Sequence, residues 1–348
     1  MDVCCSIIPP HMLEAIAVRG DGEQREAAQA ALAQSELVRS RRVDAVRAEG
    51  VAVAPRLSGL AAPNNRVHDA KSGGDLPGEL VWESAKDAPE SDDPAVVEAW
   101  TFAHATAQFY AEVLERNSLD GAGMDLVSTV HYLRNHNNAY WNGAQMLYGD
   151  GDGVLFSRLT GSLSVVGHEL THGVIQHSGG LVYRDQPGAL NESIADVFGT
   201  LVEQHKQGVE AHEASWLVGA EVFTPEVQGD ALRSLAAPGL AYDDPVLGRD
   251  PQPYHMDDFV VTTADNGGVH INSGIPNHAF YLLAQYLGGR AWERAGQIWY
   301  DALQGLDPHA TFSTFAEATV VAAWGRYGGG SREAAFTKRA WHLVGVPV

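Results

Sequence analysis

The sequence predicts an α+β protein of two lobes, the first β-rich and the second mainly helical, preceded by a short separate segment. Three observations predict it. Residues 67–157 mix strand-like runs with Gly/Asp turns, helical patterns follow one another from Ser162 onward, and residues 1–50 differ in composition from both. With 348 residues, 45% of them apolar and 19% charged, the chain is rich enough in core formers to fold and long enough for two domains plus an appendage.

The front segment, residues 1–50, opens with a stretch from Cys4 to Leu13 that reads as extended, because paired Pro9 and Pro10 cannot sit in a helix interior. Glu23 to Arg47 follows, rich in Ala, Gln, Glu and Arg, and Ala28, Ala31, Leu32 and Val38 fall near helical spacing. Residues 51–66, with Pro55, Gly59 and Pro63, read as a linker approached by Arg39, Arg41, Arg42 and Arg47. In the β-rich lobe, 67–177, strands are expected at Glu79–Trp82 and Val127–Tyr132, a helix at Ala95–Arg116 and a turn at Gly149–Gly153. Further helices are expected at 162–177, closing that lobe, and at 191–204, 274–287, 292–304 and 312–327 in the helical lobe, 178–348. No fixed-period repeat or low-complexity tract interrupts them. A cleft between such lobes is the default place for a site.

Acidic residues outnumber basic ones 44 to 23, a formal net charge of −21. That balance argues against nucleic acid or an anionic membrane as partner; its ordinary meaning is a solvated surface, with a preference for basic partners the other reading. No apolar run is long enough to span a membrane. The N-terminus lacks the basic start and apolar stretch of a secretory signal, so synthesis in the cytoplasm is expected, with any export by an unidentified route. Cys4 and Cys5 are the only cysteines, so no disulfide can staple the body of the chain, and neighbours bridge each other poorly.

His168-Glu169-Leu170-Thr171-His172 is the most informative string. Residues four apart project from one helix face, so the two histidines can ligate one metal ion while Glu169 reaches a water beside it without ligating. Further on stands Asn191-Glu192-Ser193-Ile194-Ala195-Asp196. Glu192 can supply a third ligand, completing the two-His, one-carboxylate set of a catalytic zinc with an open position. Asp196, one turn later, can hold the free ring nitrogen of a ligand histidine. In Asp265-Asn266-Gly267-Gly268-Val269-His270, the glycines suit a tight backbone, His270 is expected on a short extended piece, and Asp265 can orient it and keep it protonated.

In order and spacing these three strings resemble thermolysin-like zinc metallopeptidases, the gluzincins, from about Val67 to Val348. The resemblance implies a two-lobe metallopeptidase with the zinc cleft between the lobes, and an endopeptidase acting on proteins or peptides with Glu169 as general base. It implies that Tyr183 and His270 stabilise the oxyanion. Asn137-Asn138-Ala139-Tyr140-Trp141-Asn142-Gly143 is similar to the family's substrate strand, so Asn138 and Ala139 would hold the substrate main chain by strand addition. Arg233 would contact the carbonyl beyond the cut. Phe156, Leu159, Val165 and Leu232 match the wall of the pocket just past the scissile bond and imply an apolar residue there.

The family's double calcium site keeps Glu203, but Ser164, Ser215, Leu217 and Ala220 stand where acids are expected, and Trp82-Glu83-Ser84-Ala85-Lys86 lacks the acidic pair of a second site. Calcium is therefore not expected. Such losses suit the short-propeptide, protealysin-like branch, whose pro-segments carry a motif like Pro9-Pro10-His11-Met12-Leu13. By that resemblance residues 1–50 are an inhibitory pro-segment in cis, with Pro9, Pro10 and His11 in the cleft and Cys4, Cys5 or His11 a candidate cap on the zinc. Proline offers no backbone donor to Asn138 and Ala139, so the docked segment is expected to resist cleavage. The alternative readings are an inactive zinc-bearing scaffold, which would need none of Glu169, Tyr183 and His270, and another zinc hydrolase, which leaves the strand at 137–143 unexplained.

Overall fold

A computed structural model describes residues 5–48 and 63–348. Cys4 and the stretch 49–62, most of the expected linker, lie outside the described residues.

The front segment begins with a two-residue strand, β1 (Cys5–Ser6), and two helices, α1 (Pro10–Arg19) and α2 (Gly22–Ala48). Here the extended reading of Cys4–Leu13 is corrected. Pro9 is extended and caps the helix while Pro10 occupies its first turn, where the missing N–H costs nothing. Asp21 and Gln24 exchange side-chain-to-backbone hydrogen bonds of 3.0 and 2.9 Å, a capping box that starts α2. Met12, Leu13 and Ile16 of α1 are buried.

Five more strands follow, β2 (Asn65–Asp69), β3 (Glu79–Ser84), β4 (Leu126–Val130), β5 (Ala139–Trp141) and β6 (Met146–Tyr148). Among the described residues they form one mixed sheet with β1, in the order β1-β5-β6-β4-β2-β3. β2 starts at Asn65, inside the stretch read as linker. The front segment supplies the edge strand, antiparallel to β5 with Cys5 opposite Trp141 and Ser6 opposite Tyr140. Helix α3 (Pro94–Leu114) packs on β2 and β4, its start fixed by Asp93, whose carboxylate accepts the Ala95 N–H.

Helix α4 (Leu163–Gln176) ends the sheet-rich region, and the helical lobe follows with α5 (Asp185–Gln207), α6 (Asp265–Asn272), α7 (Gly274–Leu287), α8 (Ala295–Leu303), α9 (Phe312–Tyr327) and α10 (Arg332–Leu343). α5 starts well before Asn191, α8 a turn after Trp292, and α10 was not expected. α4 and α5 meet backbone to backbone at Gly167 and Gly199: a Cβ on Gly199 would lie 2.5 Å from the Ser164 carbonyl oxygen. That approach carries Glu192 on α5 up to the two histidines of α4. No helix among the described residues is long and apolar enough to cross a membrane.

Candidate active site

His168, His172 and Glu192 converge in the interior, all essentially inaccessible to solvent. The Nδ1–H of His168 donates to Asp196 Oδ1 at 2.8 Å and that of His172 to Asn191 Oδ1 at 2.8 Å. With Nδ1 the donor on each ring, the two Nε2 atoms are left facing each other at 3.0 Å. Glu192 Oε2 lies 3.6 Å from His168 Nε2 and is a buried oxygen without a hydrogen-bond partner. Glu192 Oε1 is 3.5 Å from His172 Nε2. Two imidazole nitrogens and a carboxylate, gathered in this way and each within reach of one point, are placed to share a cation. The donor set, two imidazoles and one carboxylate, fits zinc.

Electrostatics hold this arrangement in place. Burial alone would raise the Asp196 carboxyl, but Arg233 and His168 hold it well below the usual carboxylate range. Its Oδ1 accepts from His168 and Arg233, and its Oδ2 from Arg233 Nε at 2.9 Å and Asn277 Nδ2 at 2.9 Å. Glu169, also on α4, points toward the sheet, where its Oε2 accepts the backbone N–H of Trp141 at 2.8 Å. The Tyr183 hydroxyl donates to Glu192 Oε1 and lies 3.2 Å from His270 Nε2.

His270 stands on α6, a correction to the extended piece expected of it. Asn266, Gly267 and Gly268 take left-handed backbone angles within that helix, and a Cβ on Gly267 would fall 2.2 Å from Asp185 Oδ1. The kink wraps the chain so that Asp265 accepts both the His270 backbone N–H, at 2.8 Å, and its Nδ1–H, at 2.6 Å. Burial works against a charged His270 ring, but Asp265 and Glu192 outweigh it and raise its pKa.

The front segment lies across this site. The Ile7 N–H donates to the Ala139 carbonyl at 3.3 Å, and the Ile7 carbonyl accepts from Arg233 Nη1 at 2.9 Å. The Ile8 N–H donates to Asn138 Oδ1 at 3.0 Å, and the Ile8 carbonyl accepts from Asn138 Nδ2 at 3.2 Å. The Ser6 carbonyl lies 3.1 Å from His270 Nε2. This corrects the placement of Pro9 and Pro10: Ile7 and Ile8 make the backbone contacts to Ala139 and Asn138, while the prolines turn the chain into α1. His11 Nε2 pairs with the Tyr242 hydroxyl at 3.0 Å. Cys4, one of the candidate caps, is outside the described residues.

Phe156, Leu159, Val165 and Leu232 are all buried in the core that also contains Ile7 and Ile8. Val165 and Leu232 meet over Gly219. Ser164 and Glu203 are hydrogen-bonded, and Glu221 is close enough to raise Glu203 further. Sequence reasoning assigned no role to Asn191, Asn277 or Tyr242. Asn191 sits beside Glu192 in an already singled-out string, which was its one signal; the other two are brought in by tertiary folding.

Two family models match the chain: the thermolysin metallopeptidase catalytic domain over residues 57–176, and the thermolysin metallopeptidase alpha-helical domain over residues 179–346. The chain is 46% identical over 348 residues to an extracellular metalloprotease of Pectobacterium carotovorum subsp. carotovorum, covering 99% of this chain and 97% of that one. It is 50% identical over 286 residues to Protease PrtS of Photorhabdus sp. (strain Az29), covering 81% and 76%. Among solved structures, the precursor of protealysin, a metalloproteinase from Serratia proteamaculans, is similar with a TM-score of 0.88 and 44% identity, covering 98% of this chain and 99% of that one.

Proposed function

The chain belongs to the thermolysin metallopeptidase family and is a zinc metalloendopeptidase, and on that premise we propose that it cuts on the amino side of bulky apolar residues, with residues 1–50 as its inhibitor in cis. The observation that carries the chemistry is the convergence of the His168 and His172 Nε2 atoms with a buried Glu192 oxygen that has no hydrogen-bond partner. When bound there, zinc supplies Lewis acidity and makes water a stronger acid.

The chain's own residues do the rest. β5 offers its edge to an extended backbone, and Asn138, Ala139 and Arg233 fix its direction and register. Glu169, anchored by the Trp141 N–H, accepts a proton from the attacking water and returns it to the leaving amine. Tyr183 and His270 donate to the carbonyl oxygen as negative charge develops, an effect worth about 3–4 kcal/mol for one preorganised donor. Asp265 holds His270 in the orientation this requires. Phe156, Leu159, Val165 and Leu232 line the pocket for the residue after the cut.

A short pro-segment is in keeping with the likeness to the protealysin precursor, and export with the likeness to an extracellular protease. Calcium is not part of this reading. The test is hydrolysis of casein by the chain after removal of its pro-segment, abolished by chelation and restored by zinc. Leu, Phe or Ile is expected after the cut, graded rather than absolute because a methylene is worth about 1–3 kcal/mol. A profile dominated by charged residues at that position overturns the pocket.

A further inference from the structure

We infer that the Ser6–Ile7 bond of the pro-segment is itself a substrate bond of this site, cut in cis, and that the chain from Ile7 onward then stays docked as a bound product. The inference rests on the proposed function. It comes from polarity and register, not from the mere presence of a blocking segment.

A segment can fill a cleft in the direction of a substrate or against it. Here β1 runs antiparallel to β5, and each backbone group of Ile7 and Ile8 meets the partner assigned above to a substrate. Ile7 N–H goes to Ala139, Ile7 carbonyl to Arg233, and both Ile8 groups to Asn138. If Arg233 holds the carbonyl of the residue after the cut, that residue is Ile7. The carbonyl one residue earlier is then the one attacked, and Ser6 oxygen lies 3.1 Å from His270 Nε2, with the Tyr183 hydroxyl 3.2 Å from the same nitrogen. Ile7 is fully buried and apolar, as the pocket requires. Pro9 follows Ile8, so its missing N–H falls beyond the donors that Ala139 and Asn138 need, and it does not protect this bond.

The step is plain hydrolysis. The oxygen of water adds to the Ser6 carbonyl carbon, the Ser6–Ile7 C–N bond breaks, and a proton passes to the Ile7 nitrogen, leaving a Ser6 carboxylate and an Ile7 ammonium. Met1 to Ser6 departs. The remainder is still joined to the enzyme through the chain, and Ile8, His11, Met12, Leu13 and Ile16 keep their contacts. Occlusion therefore outlasts the cut.

The experiment uses the full chain, purified with its metal chelated so that it is intact, then given zinc. Labelling of free N-terminal amines followed by mass spectrometry should show a new N-terminus at Ile7, formed at a rate independent of protein concentration, before any cut near the linker. Glu169→Gln should slow its appearance at least ~100-fold. In chelated Glu169→Gln chain, hydrogen exchange should find the Ile7 and Ile8 amides protected, which reads the register without turnover. Residues 1–6 remaining attached while the trimmed chain digests casein overturns the inference and leaves the proposed function standing. A rate that rises with concentration, or unprotected Ile7 and Ile8 amides, also overturns it. A trimmed chain that digests nothing defeats the proposed function itself.

Discussion

Glu169 and Glu192 are the same side chain placed on adjoining helices, and their neighbours separate what they can do. Glu192 faces two imidazole nitrogens, whereas Glu169 is turned away and tied to the backbone of β5. In the proposed mechanism, ligation and proton transfer would therefore rest on different residues. Glu169→Gln should retain stoichiometric zinc, measured by atomic absorption, and lose about 10²–10⁴-fold or more in turnover. His270→Ala should keep zinc as well and lose less; near-normal turnover by the glutamine variant would sink the assignment. At this scale the sequence was informative wherever chemistry follows from spacing along one helix. His168, Glu169 and His172 lie within five residues, and Glu192 to Asp196 spans one turn. Asn277 was illegible for the opposite reason. It reaches Asp196 from another helix, and nothing about an asparagine near the start of a helix marks the carboxylate it will meet.

Helices α4 and α5 carry the candidate ligands, and α5 also holds the half-buried Glu203, whose carboxyl is pushed up to about 7 by partial burial, with Glu221 adding to it. Its folded pKa is thus above the ordinary 4.5, and the stability it contributes is present below about 4.5 and lost as pH rises through about 7. Glu203→Gln should be near neutral at pH 5 and stabilising at pH 8, by up to about 3 kcal/mol. Equal thermal midpoint shifts at the two pH values would contradict this. With Ser164, Ser215, Leu217 and Ala220 where calcium would need carboxylates, millimolar calcium should leave the midpoint unchanged when zinc is held constant. Long helices rich in apolar residues, such as α3, α7 and α9, were legible to within a few residues. Elements that depend on partners were not. α10 is diluted by Arg332, Glu333, Lys338 and Arg339, and β1 is a strand only because β5 is there to pair with it. α6 hides behind two glycines that read as a loop.

As a whole, the molecule is a catalytic body with Ser6, Ile7 and Ile8 of its own front segment lying across the site. The intact chain should be poorly active and should gain activity when cut between about Arg39 and Asn65; equal rates for verified intact and trimmed chains would refute latency. Acid should loosen the docked segment. Burial pushes the half-buried His11 ring down to about 4 from 6.5, so the docked state binds fewer protons, and docking is complete above about 6.5 and weakens as pH falls toward 4. At pH 5 the loss is up to about 2 kcal/mol, read as faster amide exchange at Ile7 and Ile8, and His11→Gln should flatten that dependence. The edge position of β1 carries a consequence between molecules. Once β1 leaves, β5 is an unsatisfied sheet margin that accepts any extended chain by its backbone. The front segment of a neighbouring precursor is such a chain. At high local concentration, front segments should therefore occupy the vacated margins of already matured neighbours and silence them, so that dilution itself becomes an activating signal.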